Sequence, residues 1–468
     1  MKIIVCVKIV NGELNPFDEC ALESALSIPD SRVSVVSMCP ISAKDKLLSL
    51  TRLGVENVYL LSDKIFAGSD TLATAYILSK QISSLEYDAV FCGRQTVDGD
   101  TAQVGACLSV MLGTSLVTNV MDISFSRDNN EFVCRTRLGQ ERAALPALLT
   151  IERINTLRFP SVRSRIGEIN IVDNSTLGAN PQKCGTAGSP TRVLKVFENK
   201  SGRRRCHFAD ISEFVECIEL GMKKKTANFA PLKNNIKFDN VWAIGSTVAK
   251  KAAEISETVT LMGENDPYKI YKLALEKKPN VILWNADLQG RRNAPVVQAL
   301  LGTGLCADCT ALETDGNRLY MYRPAREGNI IAKIECTTRP QMATVRCSTK
   351  SDDIIFCGGR GIADSFKMFT EFAGKFGASV GVSRALVDRG LADYGIQIGL
   401  TGKAVSPKVY VAIGVSGAIQ HMCAIESAGT VIAVNPDKNA PVFEYADYGI
   451  VTDFEKLADY FVSHEISV

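Results

Sequence analysis

The chain has 468 residues, of which 46% are hydrophobic and 22% are charged, and its formal net charge is +2 at neutral pH. This length predicts about three domains of about 150 residues each, and the composition is typical of a globular protein with several cores. The near-zero net charge gives no reason to expect a nucleic-acid partner.

The cysteines and the apolar runs indicate a cytoplasmic protein. Fifteen cysteines are dispersed along the chain, and several lie inside apolar strand patterns, as buried reduced thiols do. Residues 1–10 form a strand pattern rather than a signal peptide, and the apolar runs are too short for a transmembrane helix. We therefore expect no membrane insertion.

Strand and helix patterns alternate along the first part of the chain. Residues 2–9 are almost continuously apolar, as in a strand buried on both faces, and Pro16 and Asp18 suit the start of the next helix. This alternation predicts a doubly wound parallel sheet. The predicted elements are strand 2–9, a helix from Pro16, strand 32–38, helix 44–53, strand 58–61, helix 71–85 and strand 88–93.

The sequence DGDT at residues 98–101 predicts a turn and a helix N-cap after strand 88–93. Small residues and free N–H groups at the start of a helix also suit phosphate binding. These residues alone leave both interpretations open.

Residues 198–210 (ENKSGRRRCHFAD) are polar and basic. Because no aromatic residues alternate with the arginines, a solvated linker is favoured over a nucleic-acid-binding patch.

Further along, residues 280–305 repeat the pattern of residues 88–116, from an apolar strand through a loop and a helix to the closing sequence LGT-x-L. This internal repeat predicts two related α/β domains.

A glycine-rich turn opens the C-terminal part of the chain. The apolar residues 354–357 lead into Gly358-Gly359-Arg360-Gly361, where backbone N–H groups and the Arg360 guanidinium could contact a phosphate. Three further apolar strands end near Ser383, before a loop with His421, and at Asn435. Ligands of parallel α/β sheets bind at such carboxyl ends, although tight turns alone would explain the glycines.

Six segments taken in order, GGRG, SRALVD, TGK, IGVSGAIQH, AVNPD and FEYADYGIV, closely resemble the FAD-binding domain of the electron-transfer flavoprotein α subunit. CGRQTVDGDTAQVG and LNPFDECALESA resemble the nucleotide-binding loop and the start of the β subunit. GTAGSPTRVLKVF resembles the end of β subunits of the bifurcating type.

The resemblance implies an α/β fold with two related doubly wound parallel-sheet domains (adenine nucleotide alpha hydrolase-like) and a C-terminal FAD-binding α/β domain. It implies that the β and α subunits are fused in one chain. The expected boundaries are 1–205 for the β-subunit-like domain, 206–239 for a linker, 240–350 for the α-subunit N-terminal-like domain and 351–468 for the FAD-binding domain.

The resemblance also implies two nucleotide sites. In the first, Arg384 would lie over the isoalloxazine of FAD, Thr401 would donate toward N5 and His421 would lie near O2, while Leu400 stands where the family usually has Gln. The residues expected to bind FAD are Gly359, Arg360, Gly361, Ser383, Arg384, Gln397, Gly399, Thr401, Gly402, Ser416, Gly417, Ala418, Gln420, His421, Asn435, Asp437 and Asp453. Those expected to bind a second FAD or an AMP are Cys6, Val7, Asn15, Cys39, Cys92, Gly93, Asp98, Gly99, Asp100, Thr101, Ala102, Gln103 and Val104.

The function implied is that of an electron carrier. Its partners would be an acyl-CoA dehydrogenase-type flavoprotein and, for the bifurcating type with a second FAD and NADH as donor, ferredoxin or flavodoxin. A conventional carrier with one FAD and a structural AMP is the first alternative, since the short loop at residues 10–14 argues against efficient use of NADH. A non-redox nucleotide-binding protein is the second, but it would leave Arg384, Thr401 and His421 unexplained. We predict no catalytic residues and no metal site, and leave open whether the protein is an enzyme.

Overall fold

The computed structural model describes residues 1–198, 203–223, 236–326, 330–347 and 353–464. Among these, residues 1–196, 236–326 and 332–345 form one compact unit, and residues 197–198, 203–223, 330–331, 346–347 and 353–464 form a second. Both are built on parallel sheets with helices between the strands, which confirms the predicted α/β fold. Within the described ranges, every helix is too short or too polar to cross a membrane.

The first unit begins with a nine-stranded sheet of order β11-β5-β4-β1-β6-β10-β7-β8-β9. It is parallel from β11 to β7, and β7, β8 and β9 are antiparallel. The elements are β1 (Lys2–Cys6), β2 (Ile9–Val10), β3 (Glu13–Leu14), α1 (Pro16–Leu26), β4 (Arg32–Met38), α2 (Lys44–Ser49), β5 (Asn57–Leu61), α3 (Thr71–Ile82), β6 (Ala89–Gly93), α4 (Val104–Leu112), β7 (Ser115–Ser126), β8 (Glu131–Thr136), β9 (Gly139–Ala144), β10 (Ala147–Ile151), β11 (Asn170–Val172) and α5 (Asn174–Leu177).

A second sheet in this unit has the order β15-β14-β16-β21-β17. This is the order of β4-β1-β6-β10-β7 in the first sheet, so the predicted sequence repeat is also a repeat of topology. A separate four-stranded sheet has the order β12-β20-β19-β18. The elements are β12 (Thr191–Glu198), β14 (Val241–Ile244), α7 (Val248–Ile255), β15 (Val259–Met262), α8 (Pro267–Lys277), β16 (Val281–Asn285), α9 (Leu288–Leu301), β17 (Leu305–Cys309), β18 (Ala311–Thr314), β19 (Leu319–Ala325), β20 (Ile330–Cys336) and β21 (Gln341–Val345).

The second unit contains a wholly parallel six-stranded sheet of order β13-β26-β25-β24-β22-β23. Its central strands β22, β24 and β25 are almost continuously buried, as expected for a sheet covered on both faces. The elements are β13 (His207–Phe208), α6 (Phe214–Lys223), β22 (Ile354–Gly358), α10 (Phe366–Lys375), β23 (Ser379–Val382), α11 (Arg384–Asp388), β24 (Val409–Ile413), α12 (Ile419–Met422), β25 (Thr430–Val434), β26 (Tyr448–Ile450) and α13 (Phe454–Ser463).

Residues 206–223, which the sequence analysis assigns to a linker, are instead part of the second unit. β13 adds an edge strand beside β26, and α6 buries Phe214, Cys217 and Ile218 in the core of this unit. These positions have the i, i+3, i+4 spacing of an amphipathic helix, but the preceding arginines hide this pattern. Of the rest of the expected linker, residues 224–235 lie outside the described residues.

Candidate functional site

The candidate cofactor site of the second unit lies at the carboxyl edge of its parallel sheet. The chain passes from β22 to β23 on one side and later to β24 on the other. This reversal opens a crevice between the ends of β22 and β24, which is where open α/β sheets bind ligands. Residues 359–361 leave β22 and residues 414–417 leave β24 at this crevice.

The two glycine loops contact each other through backbone atoms. The Gly359 N–H donates to the Ile413 carbonyl at 2.8 Å, and the Gly361 N–H donates to the Gly414 carbonyl at 3.1 Å. A Cβ atom on Gly359 would lie 2.1 Å from the Gly414 carbonyl oxygen, so this approach requires glycine. The N–H groups of Gly359 and Gly361 are therefore engaged by carbonyl groups of the protein. The phosphate-binding candidate of this turn is the exposed Arg360 guanidinium.

Ser383 and Arg384 continue this edge after β23. The Ser383 N–H donates to the Gly358 carbonyl at 2.9 Å. Arg384 begins α11, and its Nε donates to Oδ2 of Asp388, one turn later, at 3.0 Å. The ion pair orients the Arg384 guanidinium at the start of this helix, where its side chain is 32% exposed.

The loop of residues 397–403 folds around the buried side chain of Gln397. The Gln397 Nε2 donates to Oγ1 of Thr401 at 2.8 Å, and the Gly402 N–H donates to the Gly399 carbonyl at 3.1 Å. Gln397 therefore supports Thr401 from inside the loop. Because the Thr401 oxygen accepts this bond, the hydroxyl proton can be donated to a ligand.

His421 is buried in α12, just after the second glycine loop. Its Nε2 lies 2.7 Å from Oη of Tyr410 and 3.8 Å from Sγ of Cys357. Its Nδ1 is buried and has no hydrogen-bond partner in the described part of the chain. Burial lowers the pKa of His421 to about 4, so the ring is neutral at physiological pH and carries one N–H. It can donate a hydrogen bond to a cofactor but does not supply a positive charge.

The outer end of the crevice is formed by the loops after β25 and β26. The Asn435 Nδ2 donates to the Val415 carbonyl at 3.0 Å, and the Asp437 N–H donates to Oδ1 of Asn435 at 2.9 Å. Asp453 caps α13, because its Oδ1 accepts the Lys456 N–H at 2.8 Å. The remaining predicted residues are Ser416, Gly417 and Ala418 in the loop after β24 and Gln420 in α12.

The second candidate site lies at the equivalent edge of the first unit. β1 is flanked by β4 and β6, so the crevice of this sheet lies between β1 and β6. Cys6 and Cys92 are register partners in this pair. Val7 and Cys39 directly follow β1 and β4, and Gly93 ends β6. The sheet therefore brings together these five predicted residues.

Asn15 fixes the loop that follows β6. It is fully buried, its Nδ2 donates to the Gln95 carbonyl at 2.9 Å, and its Oδ1 accepts the Val97 N–H at 3.2 Å. The Lys8 Nζ pairs with Oδ2 of Asp98 at 2.6 Å, which holds the acidic part of the loop near β1. The other predicted residues are Gly99, Asp100, Thr101 and Ala102 in this loop, Gln103 before α4 and Val104 in α4.

The Gln103 side chain is engaged within the first unit. Its Oε1 accepts from Oγ1 of Thr71 at 2.9 Å, and its Nε2 donates to the Leu305 carbonyl at 3.3 Å. The bond to Leu305 joins the two repeated domains, a role that the local sequence did not indicate.

Asp18 is a functional candidate that sequence reasoning missed, since it was interpreted only as part of a helix start. Its Oδ2 accepts the Lys8 N–H at 2.8 Å, and a Cβ atom on Gly93 would lie 2.2 Å from its Oδ1. The carboxyl thus lies directly below the crevice. Burial raises the pKa of Asp18 to about 7.

We expect Asp18 to make the stability of the first unit depend on pH. The folded state binds the proton more tightly than the unfolded state does, so the stabilisation is complete below about pH 4 and is lost as pH rises toward 7. The expected slope in this window is about 1.4 kcal/mol per pH unit. Both tryptophans, Trp242 and Trp284, lie in the first unit, so urea unfolding followed by their fluorescence measures it. Asp18→Asn should remove this contribution, and equal pH slopes for the two proteins would contradict the assignment.

A buried ionic network lies beside the same crevice. Glu152 follows β10, and its Oε1 lies 3.2 Å from Nε of Arg137 and 3.4 Å from Nη1 of Arg94, which follows β6. The three side chains are only 2–7% exposed. The Arg94 Nη2 also donates to Oε1 of Gln95 at 2.6 Å, so the network supports the loop in front of the crevice.

The corresponding edge of the second repeat is filled by side chains of the protein. Asn285 lies at the end of β16. Its Oδ1 accepts two hydrogen bonds, one from the Thr247 hydroxyl at 2.6 Å and one from the Val248 N–H at 3.0 Å. The second repeat has Gln289-Gly290-Arg291 where the first has Asp98-Gly99-Asp100. Arg291 pairs with Asp308 through two bonds of 2.9 and 3.0 Å. These contacts use the groups that would otherwise face a nucleotide.

The comparisons with known proteins agree with this geometry. Residues 3–176 and 263–349 match the family profile described as electron transfer flavoprotein domain, and residues 348–426 match that of the electron transfer flavoprotein FAD-binding domain. The matches assign the chain to a class of flavoproteins that transfer electrons. The chain belongs to the electron transfer flavoprotein family.

Relatives named for both subunits are similar to this chain. Electron transfer flavoprotein subunit alpha of Thermoanaerobacterium thermosaccharolyticum is 40% identical over 235 residues, which cover 40% of this chain and 71% of the relative. Electron transfer flavoprotein subunit beta of Megasphaera elsdenii is 37% identical over 201 residues, covering 39% and 74%. Protein FixB of Clostridium saccharobutylicum is 36% identical over 235 residues, covering 40% and 70%.

Proposed function

We propose that this chain is an electron-transfer flavoprotein with β-like and α-like parts fused in one polypeptide, carrying electrons on a FAD bound to the second unit. Two segments that match the electron transfer flavoprotein domain and one that matches the FAD-binding domain follow one another in the same chain. The observation that carries the proposal is the crevice between β22 and β24. At this edge two glycine turns pack together, and Nδ1 of His421 is buried without a hydrogen-bond partner in the described part of the chain.

The residues at this crevice fit FAD. The exposed Arg360 guanidinium, beside the closely packed glycine turns, suits the pyrophosphate. Ser383 and Ser416 are placed for the pyrophosphate and ribityl regions, and residues 435–437 with Asp453 for the adenosine. FAD when bound supplies the redox chemistry.

Three side chains are placed to act on the isoalloxazine ring. Arg384 supplies positive charge, and Thr401 and His421 supply neutral donors. Such groups stabilise the charge that accumulates on the N1–C2=O edge and at N5 when the ring accepts electrons. Leu400 presents an apolar side chain where the family usually has Gln, so one ring contact of the family is missing or replaced.

We propose a second FAD as the ligand of the β-like crevice, with AMP as the alternative. The proposal rests on two sequences, DGDTAQVG (residues 98–105) and GSPT (residues 188–191), the latter in the segment that resembles bifurcating β subunits. The Ser189 and Thr191 hydroxyls of GSPT bind Gly68 and Asp70, respectively, so they hold this segment against the start of α3. They are therefore not the contacts that would select FAD.

The loop at residues 10–14 bears on the use of NADH. β2 and β3 form a tight hairpin in which Asn11 and Gly12 have φ values of +52° and +83°, as in a type I′ turn. So short a hairpin leaves little protein surface with which to approach a dinucleotide. We propose that NADH is at most a slow donor.

The partners we propose are a flavoprotein of the acyl-CoA dehydrogenase type and, if a second FAD is present, ferredoxin or flavodoxin. The proposed location is the cytoplasm. A carrier of this kind exchanges electrons with protein partners and needs no general acid or base of its own.

Nucleotide content tests the proposal. The purified protein would be denatured, and released FAD and AMP would be quantified per chain. Two FADs per chain are the expected result, and NADH oxidation would then be assayed. One FAD and one AMP would retain the carrier function but overturn the second FAD. A protein that is colourless and also fails to bind added FAD would overturn the whole proposal.

A further inference from the structure

Tyr410 and Cys357 both lie close to Nε2 of His421, and the three side chains form a buried cluster. Tyr410 lies within β24 and is fully buried, and its hydroxyl lies 2.7 Å from Nε2 of His421. The third member, Cys357, has its Sγ 3.8 Å from the same nitrogen. All three side chains are enclosed below the crevice.

The protonation states of the cluster limit its possible hydrogen bonds. Burial raises the pKa of Tyr410 well above its usual value, so the hydroxyl keeps its proton at neutral pH. Burial lowers the pKa of His421 to about 4, so the imidazole is neutral and has one N–H. One ring nitrogen is therefore a donor and the other an acceptor.

The geometry selects one of the two tautomers. If Nε2 carried the proton, it would donate to the Tyr410 oxygen, and the Tyr410 proton would be left with the weak acceptor Sγ of Cys357. If the Tyr410 O–H donates to Nε2 instead, the strongest acceptor of the cluster is used, and the imidazole proton lies on Nδ1. Burial is the larger influence on the pKa of His421, and a polar contact with the Ile398 backbone raises this pKa by less than burial lowers it. That contact does not have the geometry of a hydrogen bond from Nδ1.

We propose that Tyr410 is a positioning residue that holds His421 in the tautomer with the proton on Nδ1, so that this N–H is available to the FAD ring. The inference rests on the proposed function, because the FAD ring is the acceptor that would use the donor. Nδ1 is buried and unpartnered within the described residues, and a buried donor of this kind is destabilising until an acceptor binds to it.

The location of His421 supports a role toward the ligand. Its helix is bonded to the loop that carries Thr401, because the Leu400 N–H donates to the Gln420 carbonyl at 2.6 Å. A Cβ atom on Gly399 would lie 3.8 Å from the Cα atom of His421. His421 and the expected donor Thr401 therefore belong to neighbouring segments of one crevice edge.

The test is nitrogen NMR of the full-length protein labelled with ¹⁵N-histidine. The chain has only three histidines, so His421 can be assigned with His421→Gln. In the wild-type protein at neutral pH, Nδ1 should have the shift of a protonated nitrogen and Nε2 that of an unprotonated one. In Tyr410→Phe, the fixed tautomer should be lost, and the two nitrogens should show averaged or exchanged shifts.

The bound cofactor gives an independent measurement. Tyr410→Phe should retain FAD but bind it about tenfold more weakly, as expected for the loss of one oriented hydrogen bond, and the reduction potential of the bound FAD should fall. Tyr445→Phe is the matched control, since Tyr445 is a buried tyrosine of the same apolar cluster; it should leave the shifts and the potential unchanged.

A wild-type Nε2–H tautomer, or a Tyr410→Phe variant with wild-type shifts and potential, would overturn the positioning role while leaving the carrier function intact. A protein that binds no FAD would overturn the proposed function, and with it the role of the Nδ1 donor toward FAD. If Tyr410→Phe fails to fold, the wild-type tautomer still decides the inference.

Discussion

Replacing Gly417 with alanine should abolish retention of FAD by the second unit. Gly417 has a φ of +88°, and a Cβ atom there would lie 2.1 Å from the Val442 nitrogen and 2.5 Å from the Pro441 carbonyl carbon. These neighbours are backbone atoms that cannot rotate away. The Val442 N–H also donates to the Ser416 carbonyl at 3.2 Å, so the clash would separate the loop after β24 from the segment it packs on.

The control for this variant is Gly390→Ala in the same unit. Gly390 has a φ of +73°, and a Cβ atom there would meet nothing within 4 Å. Gly390→Ala should lower the free energy of unfolding only by the strain of the left-handed conformation, about 1–2 kcal/mol. Gly417→Ala should lower it by about 1–3 kcal/mol more, because the added methyl group overpacks the loop. FAD per chain and the thermal midpoint by circular dichroism would be measured for both, and equal values would show that the close approach at Gly417 is unimportant.

Glu152→Ala should destabilise the first unit by about 3–5 kcal/mol, because it leaves Arg94 and Arg137 buried without their carboxylate. These arginine side chains are 7% and 3% exposed, so water cannot replace the lost partner. Urea unfolding followed by the fluorescence of Trp242 and Trp284 reports this unit. Glu152→Gln keeps the shape of the side chain but removes its charge. Its free energy of unfolding should lie between those of the wild type and Glu152→Ala.

The matched control for Glu152 is Glu86→Ala. Glu86 also forms an ion pair, with Lys2, but its side chain is 85% exposed, and exposed pairs contribute little to stability. Its unfolding midpoint should equal that of the wild type. If Glu152→Ala behaved like Glu86→Ala, the buried network would have no structural role.

The sequence was sufficient to predict the α/β class and the internal repeat, and it brought the candidate site residues to the carboxyl ends of the parallel strands. Buried parallel strands are continuous apolar runs, and glycines mark the loops at their carboxyl ends. Both patterns can be recognised within a short stretch of sequence, without knowing which distant residues are in contact. The repeat of residues 88–116 in residues 280–305 became a repeat of strand order. The expected second-unit residues from Gly359 to Asp453 lie on the loops and helix starts along one sheet edge.

Only the tertiary structure decided features that depend on distant residues. Phe214 and its helix, hidden behind a basic segment, join the second unit because a parallel sheet needs cover on both faces. Asp18 and Glu152 become buried titratable groups because separate strands enclose them. The partner of His421 is Tyr410, eleven positions earlier, and its bond to Nε2 arises where a strand and a helix meet. Side-chain identity is written in the sequence, whereas burial and hydrogen-bond partners are set by packing, and these control protonation.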